Sequence, residues 1–380
     1  MESMMEKTLH KCEANADPIR HLYVHIPFCA RICPFCAFYK EQAAQADKDR
    51  FCDAVISDAA QTASRFPFAL QTIYFGGGTP TSLTTAQLER VLRAISAEFN
   101  LSDLREWTIE ANPGSVSARK AETLLRLGVN RVSLGVQSWD DDLLQLLGRE
   151  HDSAQARESF QTLRAAGFTN LSIDLMFALP SQTKAKWQDS LSRTIALEPE
   201  HISTYCLTYE EDTEFLARFK RGEFRSDEND EADFFGMATE MLEAAGYEQY
   251  ETSNFAEPGC RSLHNQGYWA GEDYIALGPG AFSTQAMQRW QSVPDHREYA
   301  RRVLAGESTA VQSETLSTDA KRIERIALSL RTSEGIEAQL LDDDKIAELV
   351  SGGFLARAES RVHLTKIGRA LADSIAEILV

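Results

Sequence analysis

The chain has 380 residues, of which 43% are hydrophobic and 25% are charged, as is typical of a globular protein with one large and one smaller domain. A net charge of −18 repels phosphate backbones, so we expect no nucleic-acid partner. The sequence contains no run of about 18 apolar residues, which predicts that it has no transmembrane segment.

Residues 1–20 predict a flexible lead-in to the first folded element. They contain no apolar stretch of the kind found in a secretory signal, and Glu2 and Glu6 are unlike an organelle transit peptide. We therefore expect a cytoplasmic location, where cysteine thiols stay reduced.

Residues 21–210 alternate between short β-branched runs and amphipathic stretches. The runs predict strands at His21–Ile26, Thr72–Phe75, Trp107–Ala111, Arg131–Val136, Leu171–Met176 and Ile202–Leu207. The stretches between them predict helices near 48–65, 86–99, 117–127, 153–166 and 184–197. Six such units predict a parallel sheet with right-handed crossovers. Because a full eight-unit barrel needs about 250 residues, the expected fold class is α/β with a partial six-stranded barrel.

Beyond residue 210 the alternation stops. Residues 211–300 predict one helix near 231–245, followed by a loop-rich, aromatic segment at 247–295. Residues 301–380 read as helix, helix, hairpin and helix, with Phe354–Ala356 and Val362–Leu364 flanking the turn. This order predicts a small α+β unit of winged-helix type. The acidity of the chain favours a packing role for this unit over DNA binding.

Three of the seven cysteines follow the first predicted strand with the spacing C-x3-C-x2-C: Cys29, Cys33 and Cys36. A [4Fe–4S] cluster normally takes four thiolates, so three local ligands would leave one iron open to a small molecule. A tetrahedral zinc site with His25 as the fourth ligand is the alternative. The scattered cysteines are expected to be small buried residues or bystanders.

This spacing after a first strand resembles the signature of the radical SAM superfamily. The flanking sequence Y-x-H-I-P-F-C, from Tyr23 to Cys29, resembles the branch that contains oxygen-independent coproporphyrinogen III oxidase and the HemW heme chaperones. The resemblance implies that the open iron chelates the amino and carboxylate groups of S-adenosylmethionine. It also implies that electron transfer from the cluster cleaves this ligand to a 5′-deoxyadenosyl radical.

Polar groups follow the second to fifth predicted strands, at Gly76–Pro80, Glu110–Pro113, Gly135–Ser138 with Gly148–His151, and Asp174–Pro180. Any one of them could be a helix cap or a surface turn, but barrel enzymes carry their chemistry at this edge. Carboxylates accept hydrogen bonds from hydroxyl and amino groups, and an arginine fork pairs with a carboxylate. The resemblance implies S-adenosylmethionine-binding roles for Tyr23, Phe35, Gly77, Gly78, Thr79, Glu110, Gln137, Arg149 and Asp174.

Two departures separate the chain from the oxidase pattern. Phe38 occupies the place of the oxidase's additional cysteine, and only about 20 residues precede the first strand. By contrast, residues 264–269 read His-Asn-Gln-Gly-Tyr-Trp and resemble the H-N-x-x-Y-W motif of HemW chaperones. Phe282 occupies a position where many relatives carry histidine.

The H-N-x-x-Y-W segment suits heme, because heme iron takes an axial imidazole and porphyrins pack on aromatic rings. The resemblance therefore implies heme binding by His264, Asn265, Tyr268 and Trp269, with delivery to acceptor hemoproteins that include membrane-bound respiratory enzymes. A structural role for His264 is the alternative for this residue. For the whole chain, the alternatives are oxidative decarboxylation of coproporphyrinogen III and radical chemistry on another substrate, so whether the chain is an enzyme stays open.

Overall fold

The computed structural model describes residues 17–380. Residues 1–16 of the predicted lead-in therefore lie outside the described residues. The first strand begins at Ile19, two residues earlier than predicted.

Six parallel strands form the centre of one large sheet and pair in sequence order, which confirms the predicted α/β fold class. They are β1 (Ile19–Ile26), β2 (Phe68–Gly77), β3 (Glu106–Ala111), β4 (Arg131–Gln137), β5 (Leu171–Phe177) and β6 (His201–Cys206). Every predicted strand overlaps the observed one. Curvature of these six strands into a partial barrel remains a prediction.

Helices connect the parallel strands: α1 (Gln45–Arg65), α2 (Thr85–Glu98), α3 (Ala118–Arg126), α4 (Asp141–Leu146), α5 (Ser153–Ala165) and α6 (Lys184–Ile195). All but the short α4, which was not predicted, overlap the predicted helices. Local sequence sets their ends. Thr84 and Gln87 form a reciprocal capping box at the start of α2. Gly128 and Gly167, with φ of 100° and 106°, end α3 and α5 in the left-handed region.

The two faces of the parallel strands differ in chemistry. One face carries buried aliphatic and aromatic side chains, such as Val24, Phe75 and Leu134, which pack against the helices in the main core. The other face carries polar side chains in register, and His21, for example, pairs with Thr72 across β1 and β2. We call this second surface the polar face. The hydrophobic effect therefore acts on the helix side, which leaves the polar face for chemistry.

The sheet extends beyond both edges of the parallel set to twelve strands. The added strands are β7 (Glu248–Gln249), β8 (Asn254–Ala256), β9 (Tyr274–Leu277), β10 (Phe282–Gln285), β11 (Gln288–Ser292) and β12 (Ala310–Thr315). Strand β9 pairs in parallel with β1, and β8 pairs antiparallel with β6. The sequence prediction of a loop-rich segment at 247–295 missed the five short strands β7 to β11. Strands of two to five residues are too short to produce a readable alternation in sequence.

The remaining helices within residues 17–305 are α7 (Glu214–Lys220), α8 (Glu228–Ala244), α9 (Leu263–Trp269) and α10 (His296–Ala305). Two 3₁₀ turns occur at Pro80–Ser82 and Ala338–Leu340. Among residues 17–380, no helix is both long and apolar enough to cross a membrane.

A second hydrophobic cluster, separate from the main core, lies in the C-terminal part of the chain. Its residues come from α11 (Thr318–Leu330), α12 (Asp343–Ser351), α14 (Ala372–Leu379) and the small sheet of β13 (Ile336–Glu337), β14 (Leu355–Ala358) and β15 (Arg361–Leu364). The one-turn helix α13 (Lys366–Arg369) precedes α14. The hairpin of β14 and β15 matches the predicted wing. The domain ranges 21–210, 211–300 and 301–380 remain a prediction, and β12, inside the last range, pairs with the main sheet.

Candidate functional site

A cavity of about 500 Å³ opens at the carboxyl ends of the parallel strands. We call it the cluster cavity, because Cys29, Cys33 and Cys36 all line it. Its lining also includes eight of the nine predicted S-adenosylmethionine residues: Phe35, Gly77, Gly78, Thr79, Glu110, Gln137, Arg149 and Asp174. Its size is in the range of small-molecule sites. A larger surface hollow of about 690 Å³ lies beside Arg164, which is engaged by Glu200 2.9 Å away, and contains none of the predicted groups.

The cysteine loop is anchored on both sides. The N–H of Cys29 donates to the carbonyl of Glu41 at 3.0 Å, and the N–H of Glu41 donates to the carbonyl of Pro27 at 2.7 Å. Between them, Phe28 is fully buried against Phe51, with ring centroids 4.9 Å apart. This anchoring fixes the start of the cysteine triplet relative to β1.

A polar chain joins two of the cysteines across the cavity. The Thr79 hydroxyl lies 3.6 Å from Cys29 Sγ and accepts a hydrogen bond of 3.0 Å from Asn112 Nδ2. The Asn112 carbonyl accepts from Arg149 Nη2, and Arg149 Nη1 donates to Cys33 Sγ at 3.4 Å. Arg149 Nη2 also donates to the Gly135 carbonyl at 2.9 Å. The guanidinium therefore provides positive charge beside a sulfur that would bind metal as an anionic thiolate.

The three thiols are partly exposed, and burial raises the pKa of Cys29 and Cys36. Among residues 17–380, no three His, Cys, Asp or Glu side chains converge as ligands of a single metal ion would. A tetrahedral zinc ion needs such convergence on one point. In a [4Fe–4S] cube each thiolate binds a different iron, so the three sulfurs need only line one cavity, as Cys29, Cys33 and Cys36 do.

Two carboxylates lie on the polar face at the base of the cavity. Glu110 accepts hydrogen bonds from the Tyr74 hydroxyl at 2.9 Å and from the Gly77 N–H at 3.2 Å. Burial, with a contribution from nearby Asp174, raises the pKa of Glu110 to about 7. Asp174 accepts from the hydroxyl of Ser133 at 2.9 and 3.0 Å. One carboxyl poised near neutrality beside a second is a pairing often found at functional sites.

The backbone at the rim requires specific conformations. Gly77 has φ of 110°, and a Cβ there would lie 2.5 Å from the His25 ring, so only glycine fits this turn. Gln137 has φ of 67° at the end of β4, where the pairing with β5 is irregular. A non-glycine residue in this region is uncommon, and it aims the Gln137 side chain into the cavity rim.

Tyr23 is the one predicted S-adenosylmethionine residue that does not line the cavity. It lies on the polar face behind Tyr74, with the two rings stacked at 6.1 Å, and its hydroxyl lies 3.1 Å from His25 Nδ1. Sequence reasoning missed several lining side chains: Tyr74, Ser133, Met176, Tyr205 and Cys206. Strand alternation from the predicted residues could have identified Tyr74 and Ser133. Cys206, interpreted as a bystander, carries no local signal of its position.

The four predicted heme residues belong to the short helix α9, on the other side of Tyr74 from the cavity. His264 is 1% exposed, and its ring stacks on Tyr74 at 5.0 Å and meets Tyr268 edge-on at 4.9 Å. Trp269 points away and packs on the Arg331 guanidinium at 5.8 Å. Asn265 is half-buried, and its N–H donates to the Ser262 hydroxyl that caps the helix.

The surroundings of His264 are closed. The hollow that it shares with His21 and Tyr268 has no room even for a water molecule. Burial holds the pKa of His264 well below its usual range, so the imidazole is neutral. Its Nδ1 lies 2.7 Å from the Thr72 hydroxyl, whereas its buried Nε2 has no hydrogen-bond partner. A neutral imidazole with an unpaired nitrogen has the chemistry of an iron ligand, and this ring is enclosed between Tyr74 and Tyr268.

Phe282, the predicted replacement for a histidine of relatives, lies on β10 and is 44% exposed. Phe38, at the place of the oxidase's extra cysteine, is 71% exposed at the cavity rim. Neither side chain supplies a ligand, which is consistent with their apolar chemistry.

Comparison with known proteins agrees with this architecture. Residues 23–193 match the Radical SAM superfamily. The solved structure of coproporphyrinogen III oxidase (HemN) from Escherichia coli, at 24% identity, aligns with a TM-score of 0.84 over 100% of this chain and 93% of that chain. The fold and the three-cysteine cavity define a radical SAM protein.

Two relatives identify the branch of the superfamily. The heme chaperone HemW of Lactococcus lactis is 34% identical over 367 residues, which are 93% of this chain and 96% of that protein. The heme chaperone HemW of Escherichia coli is 31% identical over 390 residues, covering 96% and 98% of the two chains. The chain belongs to the HemW family.

Proposed function

We propose that the chain is a radical SAM-type heme chaperone that binds a [4Fe–4S] cluster, S-adenosylmethionine and heme, and delivers heme to acceptor hemoproteins. Membership of the HemW family supports the proposal. The structural observation that carries it is the unpaired, buried Nε2 of His264 within the H-N-x-x-Y-W segment. The proposal includes a cytoplasmic location, with some acceptors in respiratory membranes.

Cys29, Cys33 and Cys36 would hold the cluster, which would supply one electron and an open iron site. The thiols must lose their protons to bind, and burial opposes this for Cys29 and Cys36. The Arg149 guanidinium beside Cys33 and the Lys40 ammonium, which lowers the pKa of Cys36, offset part of that cost. The two positive charges on this side of the cavity therefore offset part of the negative charge of three thiolates.

The rest of the cavity would hold S-adenosylmethionine. Glu110 and Asp174 offer carboxylate oxygens to hydroxyl and ammonium donors. The N–H groups of Gly77 and Gly78 already donate to Glu110 and to the Ile26 carbonyl. An ammonium group, which only donates, would therefore meet the carbonyl oxygens of this glycine turn rather than its N–H groups.

Heme titration followed by the Soret band tests the heme proposal. His264→Ala is expected to weaken heme binding at least tenfold, because the axial imidazole is lost. His363→Ala, in the C-terminal hairpin, is the matched control and is expected to bind as the wild type does. Equal affinity of the His264→Ala protein and the wild type would reject His264 as the ligand.

A second candidate function is oxidative decarboxylation of coproporphyrinogen III. The lining of the cluster cavity by Glu110, Arg149 and Asp174 beside the three cysteines favours it, because such a set could support radical cleavage of S-adenosylmethionine. Anaerobic incubation of reconstituted protein with reductant, S-adenosylmethionine and coproporphyrinogen III would then yield protoporphyrinogen IX. We expect no such product, because Phe38 replaces the additional cysteine of the oxidase pattern.

A further inference from the structure

A chain of hydrogen bonds runs from the protein surface to His264. The Glu272 carboxylate, which is 40% exposed, lies 3.0 Å from His21 Nε2. His21 Nδ1 lies 2.8 Å from the Thr72 hydroxyl, and the same hydroxyl lies 2.7 Å from His264 Nδ1. His264 Nε2 ends the chain without a partner.

Counting donors and acceptors sets the position of every hydrogen in this chain. A carboxylate only accepts, so His21 Nε2 carries the hydrogen toward Glu272. His264 Nε2 has no acceptor within reach, so a hydrogen there would be a buried donor without a partner, and the ring carries its hydrogen on Nδ1, where the Thr72 oxygen accepts it. The single hydrogen of the Thr72 hydroxyl is then directed to His21 Nδ1, which accepts it.

The same count continues to the end of the chain. The Thr72 oxygen accepts from His264 Nδ1 and gives its own hydrogen to His21. Because the neutral His264 ring has only one N–H, its Nε2 is left with a free lone pair. The orphaned Nε2 is thus an acceptor rather than a buried donor that lacks a partner.

We propose that Glu272, His21 and Thr72 are positioning residues that fix His264 in the Nδ1–H tautomer and keep its Nε2 bare for iron. The tautomer follows from the contacts alone, and only the iron-binding consequence rests on the proposed heme function. Hydrogen-bond partners behind a histidine ligand commonly fix its tautomer and ring orientation in this way.

The packing of helix α9 holds the hydrogen-bonded side chains in position. Gly267 brings the helix so close to His21 that a Cβ at 267 would lie 2.5 Å from His21 Nε2. The Glu106 carboxylate accepts from the N–H of Leu263 at 2.8 Å and from the N–H of His264 at 3.1 Å, which fixes the start of the helix. The position of the His264 ring against Thr72 is therefore set by contacts from β1, β2 and β3.

Nitrogen NMR of heme-free protein labelled with ¹⁵N-histidine tests the tautomer. In the wild type, His264 is expected to show a protonated Nδ1 and a bare Nε2, with assignment by loss of the signals in His264→Ala. Thr72→Val should shift His264 toward the Nε2–H form, and Thr72→Ser should restore the wild-type pattern. Thr108→Val, which removes a buried hydroxyl without a partner on β3, is the matched control and should change nothing. A protonated Nε2 in the wild type would overturn the proposal by itself, whatever the variants do.

Heme affinity supplies the second readout. Loss of such a partner typically costs about 10–100-fold in metal affinity, so we expect Thr72→Val to weaken heme binding by that factor and Thr72→Ser to bind like the wild type. If His264→Ala leaves heme affinity unchanged while the Nδ1–H tautomer is observed, the proposed ligand fails and the tautomer assignment stands. If heme depends on His264 but Nε2 is protonated in the heme-free protein, the assignment fails and the ligand stands.

Discussion

The cluster cavity and helix α9 lie on either side of Tyr74 on the same polar face, and they differ in readiness for a ligand. The cavity has about 500 Å³ of open space and a connected set of polar groups around its thiols. Helix α9 encloses His264 without space for a water molecule. The difference teaches that the proposed cofactor site already has open space in this fold, whereas the proposed heme binding at His264 would need a conformational change.

The largest expected effect comes from removing one of the three proposed cluster ligands in the cavity. Cys36→Ala should abolish the cluster, because the two remaining thiolates would leave a second iron without a protein ligand. Iron and sulfide content and visible absorption after anaerobic reconstitution measure this. Cys206→Ala is the matched control, since Cys206 lines the same cavity outside the triplet, and it should retain the cluster. Full iron content in the Cys36→Ala protein would contradict the three-thiol site.

The next effect tests the polarity of the cavity through Glu110, whose pKa is about 7 in the fold against 4.5 for an ordinary glutamate. Between these values the folded state binds more protons than the unfolded chain, so the free energy of unfolding decreases as pH rises from 4.5 to 7. Across this pH range the total decrease in the free energy of unfolding due to Glu110 is about 3 kcal/mol. Glu110→Gln should remove this decrease, so the stability of the variant relative to the wild type rises over that range.

Urea unfolding at several pH values measures the Glu110 effect. Glu122→Gln, on the exposed side of α3, is the control and should keep the pH dependence of the wild type. Parallel stability curves for Glu110→Gln and the wild type would show that the cavity does not perturb this carboxyl.

A smaller effect tests how tightly helix α9 packs against β1 near His264. Gly267→Ala would insert a methyl group against the His21 ring and should lower the free energy of unfolding by about 1–3 kcal/mol through overpacking. Gly236→Ala, in the middle of α8 with open space around it, is the matched control and should raise stability by up to about 1 kcal/mol. Equal behaviour of the two variants in thermal unfolding would mean that α9 is not tightly packed on β1.

The sequence predicted the lining of the cluster cavity better than the surroundings of His264 in helix α9, for a physical reason. Parallel strands place their carboxyl ends at one edge, so Glu110 and Asp174 could be assigned to a common edge from strand order, whereas the role of Arg149, which follows α4, was implied by the family resemblance. The enclosure of His264 depends on contacts between distant segments, such as Glu106 at the start of α9. No local pattern encodes such a contact.

The same limit explains the errors outside the site. Strands β7 to β11 have two to five residues each. The pairing of β9 with β1 and of β8 with β6 is decided by the existing sheet rather than by local alternation. Cys206 reaches the cavity because it is the last residue of β6. The predicted strand ended one residue later, at Leu207, so the sequence did not indicate that Cys206 lies at the strand end.

The smallest expected effect concerns the cavity rim and separates the two functions considered for the family branch. Phe38→Cys restores the oxidase spacing at a side chain that is 71% exposed. Exposed substitutions of this kind change stability by no more than about 0.5 kcal/mol, and we expect unchanged iron content because Cys29, Cys33 and Cys36 remain. We also expect no protoporphyrinogen IX from the reconstituted variant, with Phe38→Ser as the matched control for loss of the ring. Product from the cysteine variant alone would mean that one rim residue separates chaperone from oxidase, and that the closed helix α9 is not what decides between them.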